Sequence, residues 1–293
     1  MTKEPRGGGR DDDAPDPAVT GPADPVDRAA VAAIRTRTPL RPVAGIVVGS
    51  GLAAALDGLV VSEDIGYDEL PGFPVPSVPG HDGRLRLGEI AGVPVAAFLG
   101  RFHYYEGHSM SVASLPVRVA RLLGAGTMIL TAAVGGLSPG LGAGTVVIGT
   151  DHLNMMGASP LRGWRNPDGS PPFVDLSAAY DRRLREVALE RAEALGVPAT
   201  EGVYAAMAGP NYETPAETAF LRREGATVVG MSVVPESVPA RALGMRVLGL
   251  FAVTNEFGQP VEHADVVRLS NEAAVSIGKL LAEVLPAVEA KGA

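Results

Sequence analysis

Apolar positions along this chain fall into short runs separated by glycine-rich or polar breaks. Residues 43–48 are all apolar or small and read as a buried strand. Residues 84–90 and 93–99 read as paired strands turning at Ala91-Gly92, and 127–133, 146–149, 203–207, 228–231 and 246–253 are further strands. Helical spacing runs through 29–35, 112–123 (despite Pro116), 216–223, 235–243 and 266–285. Within 179–195, Tyr180, Leu184, Val187, Ala188 and Leu195 fall on one helical face. Alternating strands and helices predict an α/β fold with a central mixed sheet flanked by helices. No repeat or linker interrupts the pattern, so residues 25–293 are expected to form one domain. Residues 1–24, rich in Gly, Asp and Pro, have almost nothing to bury and are expected to be a disordered tail. Asp11, Asp12 and Asp13 within it read as a solvated charge run rather than a metal site.

Composition narrows the chemistry. The 293 residues include no cysteine, which removes thiolate zinc sites, iron–sulfur clusters and cysteine nucleophiles. The formal net charge of −8 and the lack of a basic stripe argue against nucleic acid as a partner, while leaving room for a small anion held by a local cluster of donors. No apolar run reaches the roughly 18 residues of a membrane span, and the N-terminal stretch lacks a signal-peptide core. The expectation is a cytoplasmic protein with no membrane partner.

The first strand runs into Gly49-Ser50-Gly51, followed by Ala54, a match to the dinucleotide fingerprint G-x-G-x-x-A. A dinucleotide unit needs a full crossover helix and an acidic residue about 20 positions on. Here only residues 52–57 precede the next apolar run, and Glu63 and Asp64 come too early. An NAD-dependent oxidoreductase is therefore disfavoured. The other reading is a strand-end loop whose backbone N–H groups and Ser50 hydroxyl meet one oxyanion, against which stands a plain tight turn.

Later segments favour the anion. His81 lies in PGHDGRL, and Arg101, His103, Tyr105 and Glu106 crowd into GRFHYYEGH at the end of a strand. Strand-end loops are where α/β proteins gather ligand contacts. The cluster lacks metal-ligand spacing but suits an oxyanion, with Arg supplying a fixed fork of donors and His directional ones. Three more strand-end segments, AGPNYETPAE, VVGMSVVPE and VTNEFG, bring Glu213, Ser232 and Asn255, polar groups that suit a heterocycle.

Taken in order, GSGL, PGHDGRL, GRFHYYEGH, PVRV, TAAVGGLSPG, DHLN, PLRG, AGPNYET, GMSVVPE and VTN resemble the motifs of the trimeric purine nucleoside phosphorylases over residues 41–285. The resemblance implies that family's distorted, barrel-like mixed sheet and phosphorolysis of purine nucleosides, with inorganic phosphate as co-substrate and no metal or organic cofactor. It implies a phosphate site of Ser50, His81, Arg101, His103, the Ala133 backbone N–H and Ser232. It implies ribose contacts from Tyr105, Tyr204, Met231 and His263, and a base site of Tyr212, Val229, Glu213 and Asn255. Phe173 matches an aromatic that enters a neighbouring subunit's site, hence a homotrimer. His103, Glu213 and Asn255 would carry the catalytic roles, with Glu106 orienting Arg101 or His103. An amide donor at Asn255 and a carboxylate acceptor at Glu213 match 6-oxopurines such as hypoxanthine and guanine. A methylthioadenosine or methylthioinosine phosphorylase and a catalytically weakened nucleoside-binding paralogue are the alternatives. The chain departs from the family pattern at Ala132, where Asn is frequent, at Val134, expected to narrow the base pocket, and at Glu256, expected to face solvent or disturb the base site.

Overall fold

The computed structural model describes residues 25–255 and 263–289. The expected tail and Glu256 lie outside the described residues. Strand β1 (Ala44–Val48) is buried at every position, as a strand covered on both faces must be. It runs parallel to β4 (Val93–Leu99) on one side and to β5 (Thr127–Gly136) on the other. Beyond β4 lie β3 (Arg84–Ile90) and then β2 (Val60–Gly66), each pairing antiparallel with its neighbour. Beyond β5 the sheet closes on itself. The path runs from β5 to β8 (Val228–Gly230), β7 (Ala199–Ala206), β6 (Val146–Asn154), β9 (Arg246–Asn255) and back to β5. Five strands thus form a ring, and β1, β4, β3 and β2 extend from it as a wing.

Strand β5 has three neighbours, and this creates a gap. One edge pairs with β9 along most of its length. The other pairs with β1 through Leu130 and with β8 only from Gly135. Residues 131–134 are left on that edge without a strand partner. Opening beside the C-terminal ends of β1 and β4, the gap lies where parallel sheets bind ligands.

Alternation along β5 feeds two cores, since successive side chains point to opposite faces. Met128, Leu130, Ala132 and Val134 enter a cluster with α1 (Pro25–Arg37), α3 (Leu115–Leu123) and α6 (Val234–Ala242). Ile129 enters a second cluster with α4 (Arg182–Leu195) and α7 (His263–Glu289). Ala132 and Val134 are therefore core residues, on the face opposite Ala133 and Gly135.

Several expectations shift. The helix expected over 112–123 is broken into α2 (Met110–Ala113) and α3, with Pro116 in the first turn of the second piece. Proline lacks the N–H and its ring clashes with the preceding turn, so the first turn of a helix is where it fits at least cost. Helix α4 begins at Arg182, because Asp181 caps it by accepting the Leu184 N–H at 2.8 Å. Its buried stripe is Leu184, Ala188 and Ala192, while Leu195 is exposed. After β1 comes only a 3-10 turn, Ala53–Leu56, and then β2, antiparallel to β3. The crossover a dinucleotide site needs is absent from this segment. At the far edge β2 carries a bulge between Val61 and Glu63 and exposes Val60 and Val61.

Helix α1 is fastened by a buried ion pair. Arg118 donates to both Asp27 oxygens, at 2.6 and 2.9 Å, and its third nitrogen donates to Ser111 O and Ser114 Oγ. Asp27 is fully buried, so removing its charge strands the guanidinium. Asp27→Asn is expected to lower the unfolding free energy by about 3–5 kcal/mol; denaturant melts of both proteins measure the difference, and a loss under about 1 kcal/mol would show that the pair is dispensable.

Candidate active site

The register Val48↔Leu99 brings the ends of β1 and β4 out side by side. Gly49 and Ser50 leave one, Gly100 and Arg101 the other. Gly100 has φ +113°, and a Cβ there would stand 2.9 Å from His81 Cβ and Nδ1, so only glycine lets the imidazole lie against this backbone. His81 Nδ1 accepts the Arg101 backbone N–H at 3.1 Å. The ring proton then belongs on Nε2, which donates to Ser50 Oγ at 2.7 Å. The Ser50 hydroxyl hydrogen is left for another acceptor.

The Arg101 side chain is only 3% exposed. Its Nε donates to Glu236 Oε1 at 2.8 Å, and Nη1 donates to Thr131 O at 2.8 Å and to Ser232 Oγ at 3.2 Å. Its Nη2 is buried with no partner among the described residues. Buried donors are nearly always satisfied, so a charged one left open marks a place for an acceptor. The bond to Thr131 O shows that this residue's polar groups face the gap in β5. Polar groups alternate between the edges of a strand, so the Ala133 N–H faces the same gap.

Ser232 reaches the gap through a strained turn. From Val229, opposite Gly135, the chain runs back along β5 to Ser232. Val233 then adopts φ +70°, ψ −54°, and Val234 N donates to Ser232 O at 2.8 Å, a γ-turn. A β-branched residue in that conformation costs about 1–3 kcal/mol and persists only where its surroundings dictate it. Glu236 does so, its Oε2 accepting the Val233 N–H at 3.0 Å. Nothing in the analysis of the sequence singled out Glu236; a lone carboxylate in the apolar run VVPESVPARA, three residues after the cap position, was the available signal. Tyr204, expected against ribose, is fully buried, and its hydroxyl accepts the Ser232 N–H at 3.1 Å. It stands behind Ser232 as a support.

His103 completes this side. Its ring meets His81 edge-on at 5.1 Å and stacks on Tyr105 at 4.6 Å. Glu106 Oε1 accepts from His103 N and Nδ1, both at 2.9 Å, while Oε2 accepts from Ser77 N and Oγ. Glu106 therefore orients His103, not Arg101. Burial would raise the Glu106 carboxyl, but these hydrogen bonds outweigh it and hold it well below the ordinary carboxylate range. Burial pushes the His103 imidazole down, against the pull of Glu106. A neutral ring that donates from Nδ1 offers Nε2 as an acceptor.

Above the gap, a Cβ on Gly135 would lie 3.3 Å from both Asn255 Nδ2 and a Val229 methyl, so these two expected base contacts meet there. Asn255 Oδ1 is 3.4 Å from Thr254 Oγ1. Met231 and Tyr105 meet against Gly209. Glu213, half-buried and raised by desolvation, follows the exposed Tyr212 just before α5 (Pro215–Arg223). No contact joins Glu213 to Asn255. Phe173 is 94% exposed, far from covered by its own chain. His263 starts α7, but its side chain lies outside the described residues.

The sequence profile of the phosphorylase superfamily matches residues 43–286. The chain is 42% identical to purine nucleoside phosphorylase 1 of Bacillus subtilis over 91% of its own length and 99% of that protein's. The chain belongs to the purine nucleoside phosphorylase family. It is also 37% identical to the bovine purine nucleoside phosphorylase, with 88% of this chain and 93% of that one aligned. The Schistosoma purine nucleoside phosphorylase in complex with hypoxanthine superposes with a TM-score of 0.82 at 35% identity, covering 88% of this chain and 95% of that one. The closed ring with a wing is thus the family's fold.

The neutral His103 carries a pH signature. Unfolded, the ring takes up its proton near pH 6.5; folded, it does so only at lower pH. The unfolded state binds more protons in that window, so stability is full above pH 6.5 and falls as pH drops toward the folded value, by at most about 1.4 kcal/mol per pH unit from this group. His103→Asn is expected to flatten that part of the profile in thermal melts between pH 7.5 and 5.5; parallel curves for both proteins would contradict it.

Proposed function

We propose that the chain catalyses the reversible phosphorolysis of 6-oxopurine nucleosides and deoxynucleosides, releasing the base and (deoxy)ribose 1-phosphate. The single observation carrying this reading is the buried, unpartnered Nη2 of Arg101, in a cluster that links Arg101 to His81 and Ser232, and His81 to Ser50 and His103, beside the gap that the Ala133 N–H faces. A tetrahedral oxyanion supplies acceptors to Arg101 Nη2, the Ser50 and Ser232 hydroxyls and the Ala133 N–H; hydrogen phosphate also carries an O–H that Nε2 of His103 accepts, and His81 acts through Ser50, which it holds.

In this reading phosphate lies beneath the sugar that Tyr105 and Met231 flank. One phosphate oxygen bonds C1′ as the bond from C1′ to the purine nitrogen breaks, the electron pair leaving with the base. The bound anion offsets positive charge developing on the sugar. Fixed donors are worth most where charge develops in the transition state, and the Asn255 amide serves the purine in that way. Glu213 accepts from the base N1–H, with Tyr212 and Val229 against the ring. In the absence of a contact between Glu213 and Asn255, the base itself joins them. Phe173, an aromatic ring left in water, is proposed to complete the site of a neighbouring subunit in a homotrimer. Among the described residues, no helix is long and apolar enough to cross a membrane.

Initial-rate assays with inosine, guanosine, adenosine and methylthioadenosine, with and without orthophosphate, test the reading. Phosphate-dependent release of hypoxanthine and guanine well above adenine is expected. Release without phosphate, or a preference for the 6-amino substrates, would overturn it. Asn255→Asp should lower kcat/KM for inosine roughly 10- to 100-fold, the effect of one lost buried hydrogen bond, and raise the relative rate on adenosine; an unchanged ratio would remove Asn255 from base selection.

A further inference from the structure

We propose that Glu236 is a positioning residue that sets the anion site before any ligand arrives. The proposal rests on the phosphate reading above and assigns a residue which that reading leaves without a task. Each oxygen of this carboxylate has a different duty. Oε1 fixes the Arg101 guanidinium through Nε at 2.8 Å. Oε2 holds the Val233 N–H at 3.0 Å and with it the strained turn that carries Ser232 to Arg101 Nη1. Both partners of the ion pair are only 3% exposed, so water competes little with either bond. A planar guanidinium anchored at Nε and Nη1 cannot rotate, and its remaining nitrogen can point in only one direction. One carboxylate therefore couples two ligand donors from distant parts of the sequence into a single unit, which removes ordering cost from binding.

The carboxylate also sets the charge. Paired with Glu236, Arg101 contributes directional donors rather than an uncompensated positive charge. Anion binding then depends on the geometry of several hydrogen bonds more than on net attraction, and small displacements of the pair should weaken it.

The test compares Glu236→Gln with Arg101→Lys, Ser232→Ala and, as a control, Asp27→Asn, another buried carboxylate paired with arginine but remote from the gap. Glu236→Gln is expected to raise the phosphate KM roughly 10- to 100-fold, the effect of losing one hydrogen bond to a charged group, while the nucleoside KM changes less than about threefold. Asp27→Asn should lower Tm without moving the phosphate KM. If Glu236→Gln instead lowers Tm and leaves the phosphate KM alone, as the control does, Glu236 is merely structural and the proposal fails. If Arg101→Lys and Ser232→Ala also leave the phosphate KM unchanged, the phosphate site itself is misassigned. Should Glu236→Gln not fold, side-chain NMR of the wild-type protein decides. The Arg101 Nε–H signal, assigned by its loss in Arg101→Lys, should exchange slowly with water in phosphate-free buffer. Fast exchange that slows only on adding inorganic phosphate would show that the guanidinium is not preset.

Discussion

The Arg101–Glu236 ion pair, closed off from water at the open gap in β5, makes demands that much of the surrounding chain meets. Burying two charges is costly unless geometry and further hydrogen bonds repay it. The middle of β5 supplies one bond through Thr131 O, and the turn after β8 supplies another through Ser232 Oγ. Holding that turn requires a valine in a conformation it disfavours, and the tyrosine behind it secures Ser232 from the other side. Closing the ring of strands makes this possible, because it carries β8 to the same edge of β5 that β1 leaves.

On the other side of the gap the same logic uses neutral rings. His81 is fixed in one tautomer by a backbone N–H, and His103 is fixed by Glu106, whose second oxygen ties down Ser77. His81 uses both nitrogens to hold the Arg101 N–H and Ser50 Oγ, whereas His103 is held through Nδ1 and keeps Nε2 for chemistry. Carboxylates recur here as orienting groups, one for the guanidinium and one for an imidazole.

Much of this was legible in the sequence, for identifiable reasons. Strands β3 and β4 were placed to the residue, because an alternating segment, RLRLGEI, and an apolar run, VPVAAFL, flank an unambiguous turn at Ala91-Gly92. The grouping of Ser50, His81, Arg101 and His103 was legible because polar groups at the end of an apolar strand have few structural uses. Closure of the ring was not readable from pattern, since pairing between β5, β8 and β9 is decided by contacts far apart in sequence; only the resemblance to a family implied it. Helix ends at Ser114 and Asp181 were missed because capping and proline placement override apolar spacing locally. Tyr204 was assigned to the ligand because a tyrosine's hydroxyl gives no sign in sequence of facing inward. Glu236 was overlooked because a carboxylate near a helix start ordinarily serves as a cap, and here it does that while also serving the site.

Ring closure has one more effect, felt at the opposite end of the sheet. With β9 returned to β5, strand β2 is the sole terminal strand among those described. It carries exposed Val60 and Val61, a sequence well suited to recruiting a foreign strand. The bulge beside them breaks the register a newcomer would need, and Glu63 and Asp64 follow at once. Both are devices by which sheet edges resist aggregation. Apart from the gap in β5, the described strands leave this one margin to be defended during folding and storage.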